Sequence, residues 1–185
     1  MHWKILSSQY LCKHPYFTAR ADRCAMPDGR IVEAYYVVEI PVSVCALAIT
    51  EEGDALIIRQ YRHPVQEVLN EVPGGFIDAG EEQSTAIARE LLEETGYTFS
   101  AIHPVGKIAG NPGIMDKYTY LFLATGGKKT GDQTLDRNEE IDVQLIPVES
   151  VRRMLHHNEF PQAMHTACIF YALRKWDELK GEINK

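Results

Sequence analysis

The chain has few cysteines, no excess of basic residues and no long apolar run, and each absence excludes a class of protein. Only four of its 185 residues are cysteine, and none of them shows metal-ligand or redox spacing. The net charge of −7 argues against nonspecific binding to nucleic acid. No segment approaches membrane-spanning length, and the first residues carry no long apolar stretch. We therefore expect a cytoplasmic protein with reduced thiols and with neither a nucleic-acid nor a membrane partner.

The predicted elements are those of one globular domain preceded by a short extension. Apolar residues make up 45% of the chain and charged residues 24%, which is ordinary for a globular protein. Strands come first, then a helix, more strands and two helices. This order predicts a mixed β-sheet sandwiched between helices, in the α+β or α/β class. Residues 1–40 hold short β-like pieces with few apolar runs. We expect them to form an N-terminal β extension for dimerisation, ahead of a main domain over residues 41–185.

Local patterns predict individual elements. Residues 42–50 form a continuous apolar run and are predicted to be a buried strand. The polar, glycine-containing stretch 126–138 is predicted to be a mobile loop. Two helices are expected over residues 147–157 and 162–179, and the late histidines, His165 among them, are interpreted as helix-surface or loop residues. The inward-facing candidates of the last helix are Ala163, Cys168, Ala172 and Trp176.

Another helix is predicted in the second half of residues 75–97. Its apolar residues form a stripe at helical spacing. Ser84 or Thr85 is expected to cap its start, and Gly96 stands where a helix takes a left-handed stop. The stripe comprises Ala86, Ile87, Ala88, Leu91 and Leu92.

Three carboxylates lie on one face of this helix, because Glu90, Glu93 and Glu94 occupy positions i, i+3 and i+4. Like charges at this spacing repel, and Arg89 alone cannot neutralise them. One interpretation is a solvated acidic face. The other is a site for hard divalent cations such as Mg²⁺ or Mn²⁺, which prefer oxygen ligands. The glycine pair just before this stretch would let backbone carbonyls approach such an ion closely.

The full pattern resembles the signature box of the Nudix hydrolases. It reads Gly, five residues, Glu, seven residues, Arg-Glu, an aliphatic residue, one residue, Glu-Glu, one residue, Gly and an apolar residue. The match has no gap and no exception, which favours the cation site over a solvated face. The fixed positions are filled by Gly75, Glu81, Arg89, Glu90, Leu91, Glu93, Glu94, Gly96 and Tyr97.

Flanking segments resemble the ADP-ribose pyrophosphatase branch of that family. The resemblance implies Mg²⁺-dependent hydrolysis of ADP-ribose at its pyrophosphate, giving AMP and ribose 5-phosphate. Asn111, Lys117 and Gly74 depart from the branch pattern. GDP-mannose or another nucleotide sugar therefore stays an alternative substrate, as do a dinucleoside polyphosphate and a coenzyme. A noncatalytic nucleotide-sensing module is a further alternative. The segments that carry the resemblance are 59–62, 71–75, Pro112 and 139–143.

The resemblance also implies roles for the residues of the box. The carboxylates of Glu90, Glu93 and Glu94 and the backbone carbonyl of Gly74 would bind Mg²⁺, with Mn²⁺ as a possible substitute. Glu93 is counted among the catalytic residues as well. The residues with a structural role in the box would be Gly75, Glu81, Arg89 and Gly96.

Outside the box, the resemblance implies a base and a substrate-binding set. Glu139, or else Glu140, would be the general base on a loop that closes over the substrate. A nucleobase would stack on an aromatic side chain, for which the candidates are Trp3, Tyr16, Phe17, Tyr35 and Tyr36. The branch commonly exchanges N-terminal strands between subunits, so we expect a homodimer. The residues expected to bind the nucleotide sugar are Arg62, Arg59, Glu71, Pro112 and Gly113.

Overall fold

A computed structural model describes residues 1–181 of the chain and shows two compact units. The first unit consists of residues 1–42 and 109–118, and the second consists of residues 43–108 and the chain from residue 119 onward. Each unit has its own sheet.

The first unit is a three-stranded antiparallel sheet that holds a loop against it. The strands run in the order β1 (Lys4–Cys12), β2 (Thr18–Ala25) and β3 (Ile31–Glu39). The loop 109–118 joins β3 through the Val38 N–H, which donates to the Ile114 carbonyl at 2.7 Å. All nine residues of β1 are exposed, so their apolar side chains have no core within this sheet. Burial in the chain itself therefore cannot explain why β1 is apolar.

The second unit is an eight-stranded mixed sheet with three helices. The strand order is β11-β5-β4-β10-β8. In addition, β6 pairs with β5, β7 with β4 and β9 with β10. Among the paired strands described, β4 and β10 are the only parallel pair. The strands are β4 (Ser43–Thr50), β5 (Asp54–Arg62), β6 (Glu67–Glu71), β7 (Gly74–Phe76), β8 (Tyr97–Thr98), β9 (Ala101–Ile108), β10 (Thr119–Lys129) and β11 (Ile141–Pro147). The helices are α1 (Gln83–Thr95), α2 (Val148–His156) and α3 (Ala163–Lys180).

β4 is buried on both faces, as its continuous apolar run predicts. Its side chains alternate between the two faces of the sheet. Cys45 and Leu47 pack in the cluster that includes α2 and α3, whereas Val44 and Ala46 pack in the cluster that includes α1. The prediction of a mixed sheet sandwiched between helices is therefore confirmed. None of the helices described within residues 1–181 is long and apolar enough to cross a membrane.

Several predictions about helix faces are wrong. α1 begins at Gln83 with Glu82 as its N-cap residue, so Ser84 and Thr85 lie inside the helix. Ala88 and Leu92 are exposed although Ala86, Ile87 and Leu91 are buried, because each further residue turns about 100° around the helix axis. In α3, Ala163 is exposed, while Cys168 and Ala172 are buried and Trp176 packs partly buried against the core.

Gly96 ends α1 as predicted and also binds the stretch that follows β10. It has a left-handed φ of 75°, and its N–H donates to the Leu92 carbonyl at 2.8 Å. A Cβ at this position would lie 2.3 Å from the Gly131 carbonyl oxygen. The Gly96 carbonyl accepts hydrogen bonds from Thr130 and Gly131 at 2.9 and 3.1 Å. Residues 126–129, predicted as part of a mobile loop, are instead the end of β10.

Gly96→Ala is expected to lower the free energy of unfolding by more than the roughly 1–2 kcal/mol that a left-handed φ costs a residue with a Cβ. The matched control is Gly181→Ala, at the C-cap of α3, where φ is 72° and an added Cβ meets no atom of residues 1–181 within 4 Å. Urea unfolding of both variants measures the difference. Equal losses would contradict the close approach of Gly131 to α1.

Candidate active site

The guanidinium of Arg89 holds the acidic face of α1 together. Its Nη1 donates to Glu90 and to Glu93, each at 2.9 Å. Its Nε and Nη2 donate to the two oxygens of Glu81, each at 3.0 Å. Nη2 also donates to the backbone carbonyl of Phe76 at 3.0 Å. One cation thus cross-links three carboxylates and the segment that precedes the helix.

The carboxylate of Glu90 lies directly against the backbone of Gly75. A Cβ on Gly75 would lie 2.4 Å from one Glu90 carboxylate oxygen and 2.5 Å from the other, so any side chain at this position would displace the Glu90 carboxylate. Burial raises the pKa of Glu90, while its hydrogen bond to Arg89 lowers it. The raised pKa shows that Arg89 does not fully compensate the desolvation of this acid.

Glu94 is held by the backbone. It is 4% exposed, and its Oε2 accepts a hydrogen bond from the Gly74 N–H at 2.9 Å. The pKa of Glu94 is raised to about 8, mainly by burial and in smaller part by the charges of Glu90 and Glu139. An additional positive charge would stabilise its ionised form.

The acids of α1 have the donor chemistry of a divalent-cation site. Carboxylate oxygens suit Mg²⁺ and Mn²⁺. The raised pKa of Glu94 shows that its ionised form lacks a compensating positive charge, which a cation would supply. In the arrangement described for residues 1–181, no three His, Cys, Asp or Glu side chains form a ready ligand cluster. The hydrogen bonds of Glu90 and Glu93 to Arg89 and of Glu94 to Gly74 account for this arrangement. Binding of an ion would therefore require these side chains to turn toward it.

A second ion pair lies on the neighbouring strands. Arg62, at the end of β5, donates to both oxygens of Glu71, at 2.9 and 2.5 Å. Glu71 is fully buried, whereas 37% of the Arg62 side chain is exposed. A bidentate pair of this kind fixes the plane of the guanidinium. Glu71, expected to bind substrate, is thus enclosed, and Arg62 is the exposed member of the pair.

His165 belongs to the same cluster, and its interpretation as a surface residue is wrong. It is 2% exposed, and its Nδ1 accepts a hydrogen bond from the Val72 N–H at 2.9 Å. The sequence did carry a signal: His165 lies three, four and seven positions before Cys168, Ile169 and Ala172, which are all buried. This spacing places all four residues on one helix face.

The acidic loop before β11 carries the two candidate bases, and they differ in their electrostatic interaction with α1. Glu139 and Glu140 are both exposed. Besides the larger effect of burial, the charge of Glu139 raises the pKa of Glu90 and of Glu94, so Glu139 lies near the acidic face. Among the residues that the structure describes, no comparable interaction of Glu140 is resolved.

Gln133 anchors this loop, and the sequence interpretation missed it. Its Nε2 donates to the Glu94 carbonyl at 2.7 Å and to the Ile141 carbonyl at 3.2 Å. The Thr134 N–H donates to the Glu93 carbonyl at 2.8 Å. The start of the loop is thereby tied to the last turn of α1.

The remaining predicted binding residues are not members of these two clusters. Arg59 is exposed on β5, opposite Asp142 of β11. Pro112 and Gly113 belong to the first unit, where the Tyr35 hydroxyl donates to the Gly113 carbonyl at 3.0 Å. A cavity of about 380 Å³ lies wholly within that unit. Of the candidate aromatic residues, Trp3 and Tyr35 line it, together with Pro112.

Two models of known protein families match the chain, and together they cover most of it. The model described as NUDIX domain matches residues 39–166, which include the whole acidic helix and the Arg62 cluster. The chain belongs to the Nudix family. A second model, described as the nucleoside diphosphate sugar hydrolase N-terminal domain, matches residues 3–38 of this Nudix protein. The protein is thus a Nudix pyrophosphohydrolase that acts on nucleoside diphosphate sugars.

Individual relatives agree with this assignment. An ADP-ribose pyrophosphatase of Bacillus subtilis (strain 168) is 27% identical over 174 residues, covering 91% of this chain and 94% of the relative. An ADP-ribose pyrophosphatase of Mycobacterium tuberculosis is 34% identical over 157 residues, covering 83% and 75%. A crystal structure titled ADP compounds hydrolase has a TM-score of 0.85 at 20% identity, covering 99% of this chain and 98% of that one. At that identity the structure supports the fold alone.

Glu94→Gln is expected to separate two effects of Glu94 in the Nudix helix: the stability that its burial costs the folded protein, and the binding of Mg²⁺. Glutamine keeps an oxygen for the Gly74 N–H. It also avoids the cost that Glu94 pays for staying largely protonated at a pH where an ordinary glutamate is ionised, because burial raises the pKa of Glu94 to about 8. In EDTA at pH 7.5, the variant should therefore unfold at the wild-type temperature or up to about 5 °C above it. Saturating Mg²⁺ should raise the melting temperature of the wild type but not that of the variant. An equal rise in both proteins would contradict a metal-binding role for Glu94.

Proposed function

We propose that the protein hydrolyses ADP-ribose to AMP and ribose 5-phosphate with Mg²⁺, and that Mn²⁺ can substitute. The observation that carries this proposal is the acidic face of α1, which retains the three helix carboxylates of the Nudix box, Glu90, Glu93 and Glu94. Two of the relatives reported above bear the name ADP-ribose pyrophosphatase, which supports the choice of substrate. The retained acids also oppose a noncatalytic nucleotide sensor, since such a module has no use for them.

The metal would be held by oxygen atoms of the Nudix helix and of the segment before it. We assign the carboxylates of Glu90, Glu93 and Glu94 and the backbone carbonyl of Gly74 to it. When bound, the ion supplies positive charge for the pyrophosphate oxygens and lowers the pKa of a bound water. Arg89 and Glu81 keep the acids on the helix face and do not touch the substrate.

Arg62 is assigned to a phosphate of the substrate. Its Nε and Nη2 donate hydrogen bonds to Glu71, and Nη1 makes no hydrogen bond to any residue within 1–181. A planar guanidinium with free N–H groups suits a phosphate. Because Glu71 is fully buried, Arg62 is held in place before the substrate arrives, which reduces the entropy lost on binding.

Glu139 is assigned as the general base. A water oxygen forms a bond to one phosphorus while the bond from that phosphorus to the bridging oxygen breaks. The water proton passes to the Glu139 carboxylate, and the bridging oxygen leaves with the other phosphate. Glu139 lies near the acidic face, and Gln133 fixes the start of its loop on α1. Exposure of Glu139 in the absence of substrate fits a base that is brought into place by loop closure.

The first unit offers two of the candidate aromatic residues for a nucleobase, and both line its cavity. Trp3 and Tyr35 face each other there edge-on, with ring centroids 6.1 Å apart, and an aromatic wall suits the flat face of a base. Asp22 and Asp116 also line the cavity. Although both oxygens of Asp22 accept from Arg20 and Asp116 pairs with Arg20 and Lys117, a carboxylate can accept further hydrogen bonds, such as those from the N–H groups of a base. Adenine and guanine both carry an amino group, so GDP-mannose or another nucleotide sugar stays an alternative substrate.

A substrate panel with product identification tests the activity. With Mg²⁺, we expect AMP and ribose 5-phosphate from ADP-ribose, and slower turnover of GDP-mannose and of a dinucleoside polyphosphate. Glu139→Gln should lower kcat by roughly 10²–10⁴-fold, because the water loses its base. Glu140→Gln, the neighbouring control, should stay within about threefold of the wild type. Faster turnover of another nucleotide sugar would contradict ADP-ribose as the substrate. A larger loss of kcat in Glu140→Gln than in Glu139→Gln would assign the general base to Glu140.

The first unit is proposed to form a homodimer. Ile5, Leu6, Tyr10 and Leu11 of β1 are each between 41% and 56% exposed, and a second copy would cover this apolar surface. Light scattering at micromolar concentration should give twice the chain mass of 20.9 kDa. Leu11→Asp should shift the protein toward monomer, whereas Leu179→Asp, at a similarly exposed leucine of α3, should not. A monomeric wild type would contradict the dimer.

A further inference from the structure

His165 is a buried histidine outside the Nudix box that the mechanism above does not use. Its Nδ1 accepts a hydrogen bond from the Val72 N–H, and a ring nitrogen that accepts a hydrogen bond carries no proton. Burial lowers the pKa of His165 to about 4, although the charge of Glu71 opposes this shift. The ring is therefore neutral near pH 7, and its single proton is on Nε2.

The Nε2–H group of His165 lies beside the carboxylate of Glu71. The distance from Nε2 to Oε2 of Glu71 is 3.6 Å, which is longer than a hydrogen bond. Nε2 has no other hydrogen-bond partner among the residues that the structure describes. Both Glu71 oxygens are already bonded to Arg62. A buried donor thus faces a buried acceptor at a distance that a movement of roughly half an ångström would close.

Substrate binding increases the need of the Glu71 carboxylate for a hydrogen-bond donor. Under the proposed function, Nη1 of Arg62 binds a phosphate while Nε and Nη2 stay on Glu71, so the charge of the guanidinium is shared between two anions. A fully buried carboxylate that shares its cation needs another donor. The Nε2–H of His165 is placed to supply it, since its neutral ring requires no change of protonation.

The same ring fixes the chain on the other side of Glu71. Val72, which donates to Nδ1, is followed by Pro73, whose carbonyl accepts from the Ala46 N–H at 3.0 Å. The next N–H, that of Gly74, donates to Glu94. His165 therefore connects α3 both to the Arg62 pair and to the segment that enters the box.

We propose that His165 is a positioning residue for substrate binding: its Nε2–H supports the Glu71 carboxylate and so keeps Arg62 directed at a phosphate of the nucleotide sugar. This inference rests on the proposed function, through the assignment of Arg62 to the substrate. His165 itself touches no substrate.

Steady-state kinetics of two variants test the role. His165→Asn keeps an acceptor near the position of Nδ1 for the Val72 N–H but does not reach Glu71. His165→Gln is long enough to place an amide N–H near the position of Nε2. We expect Asn to raise KM for ADP-ribose about tenfold, with kcat changed less than about threefold, and Gln to recover most of the KM. His157→Asn, at an exposed histidine, should change neither.

Equal KM values for His165→Asn and the wild type, in a variant that melts cooperatively, would overturn the proposal. So would a loss confined to kcat, since a positioning role for Arg62 acts on binding. Equal KM increases in the Asn and Gln variants would show that the group at Nε2 is not what matters.

A spectroscopic test works without turnover. In protein with ¹⁵N-labelled histidine, two-dimensional ¹⁵N–¹H NMR at pH 7 should show His165 as the neutral Nε2–H tautomer. Its Nε2 resonance should shift in Glu71→Gln, because the neighbouring carboxylate loses its charge. An Nδ1–H tautomer, or no response to Glu71→Gln, would overturn the proposal alone. An inactive wild type with the expected spectra would instead overturn the proposed function.

Discussion

The site depends on one guanidinium that satisfies three carboxylates and a backbone carbonyl at the same time. Repulsion between like charges one helical turn apart grows as water is excluded, so the acids of α1 cannot simply face one another. Arg89 places a planar fork of N–H groups among them, which the compact ammonium of a lysine could not do. Because the same group also bonds to the carbonyl of Phe76, the spacing of the acids and the path of the preceding segment are set together.

Glu94 is the acid that this arrangement leaves out. It is bonded to a backbone N–H and enclosed by the sheet, so its ionised form is short of positive charge. This difference between the acids bonded to Arg89 and Glu94 matters for cation binding. Arg89 compensates the outer acids well enough for the helix to fold, and the deficit remains at the position where the segment containing Gly74 and the helix meet. A cation entering the site would find its strongest electrostatic attraction there, close to the loop that carries Glu139.

The parts of this structure that follow from local patterns could be predicted from the sequence. The apolar run of β4, the glycine that ends α1 and the acids at positions i, i+3 and i+4 need no knowledge of distant neighbours. The errors concern residues whose environment is made by remote segments. His165 is buried because a backbone N–H 93 positions earlier lies against it, and Gln133 acquires its role because the chain folds back on α1. The β extension over residues 1–40 was predicted without the bounds of β1, because the apolar residues of β1 are exposed within the chain and no core-facing alternation marks them.

The parallel pair of β4 and β10 has a consequence for how the chain folds. Ser43 and Thr119 are joined by a hydrogen bond between their hydroxyl groups at 2.8 Å, although 76 positions separate them. Parallel strands need a crossover connection, and here the crossover contains α1 with all its acids. Contacts so distant along the chain form late, because the entropy of closing the intervening segment must be overcome first. On the ribosome, α1 is synthesised before β10. Its apolar face is fully covered only when the sheet closes, so assembly of the catalytic helix and completion of the core are the same event.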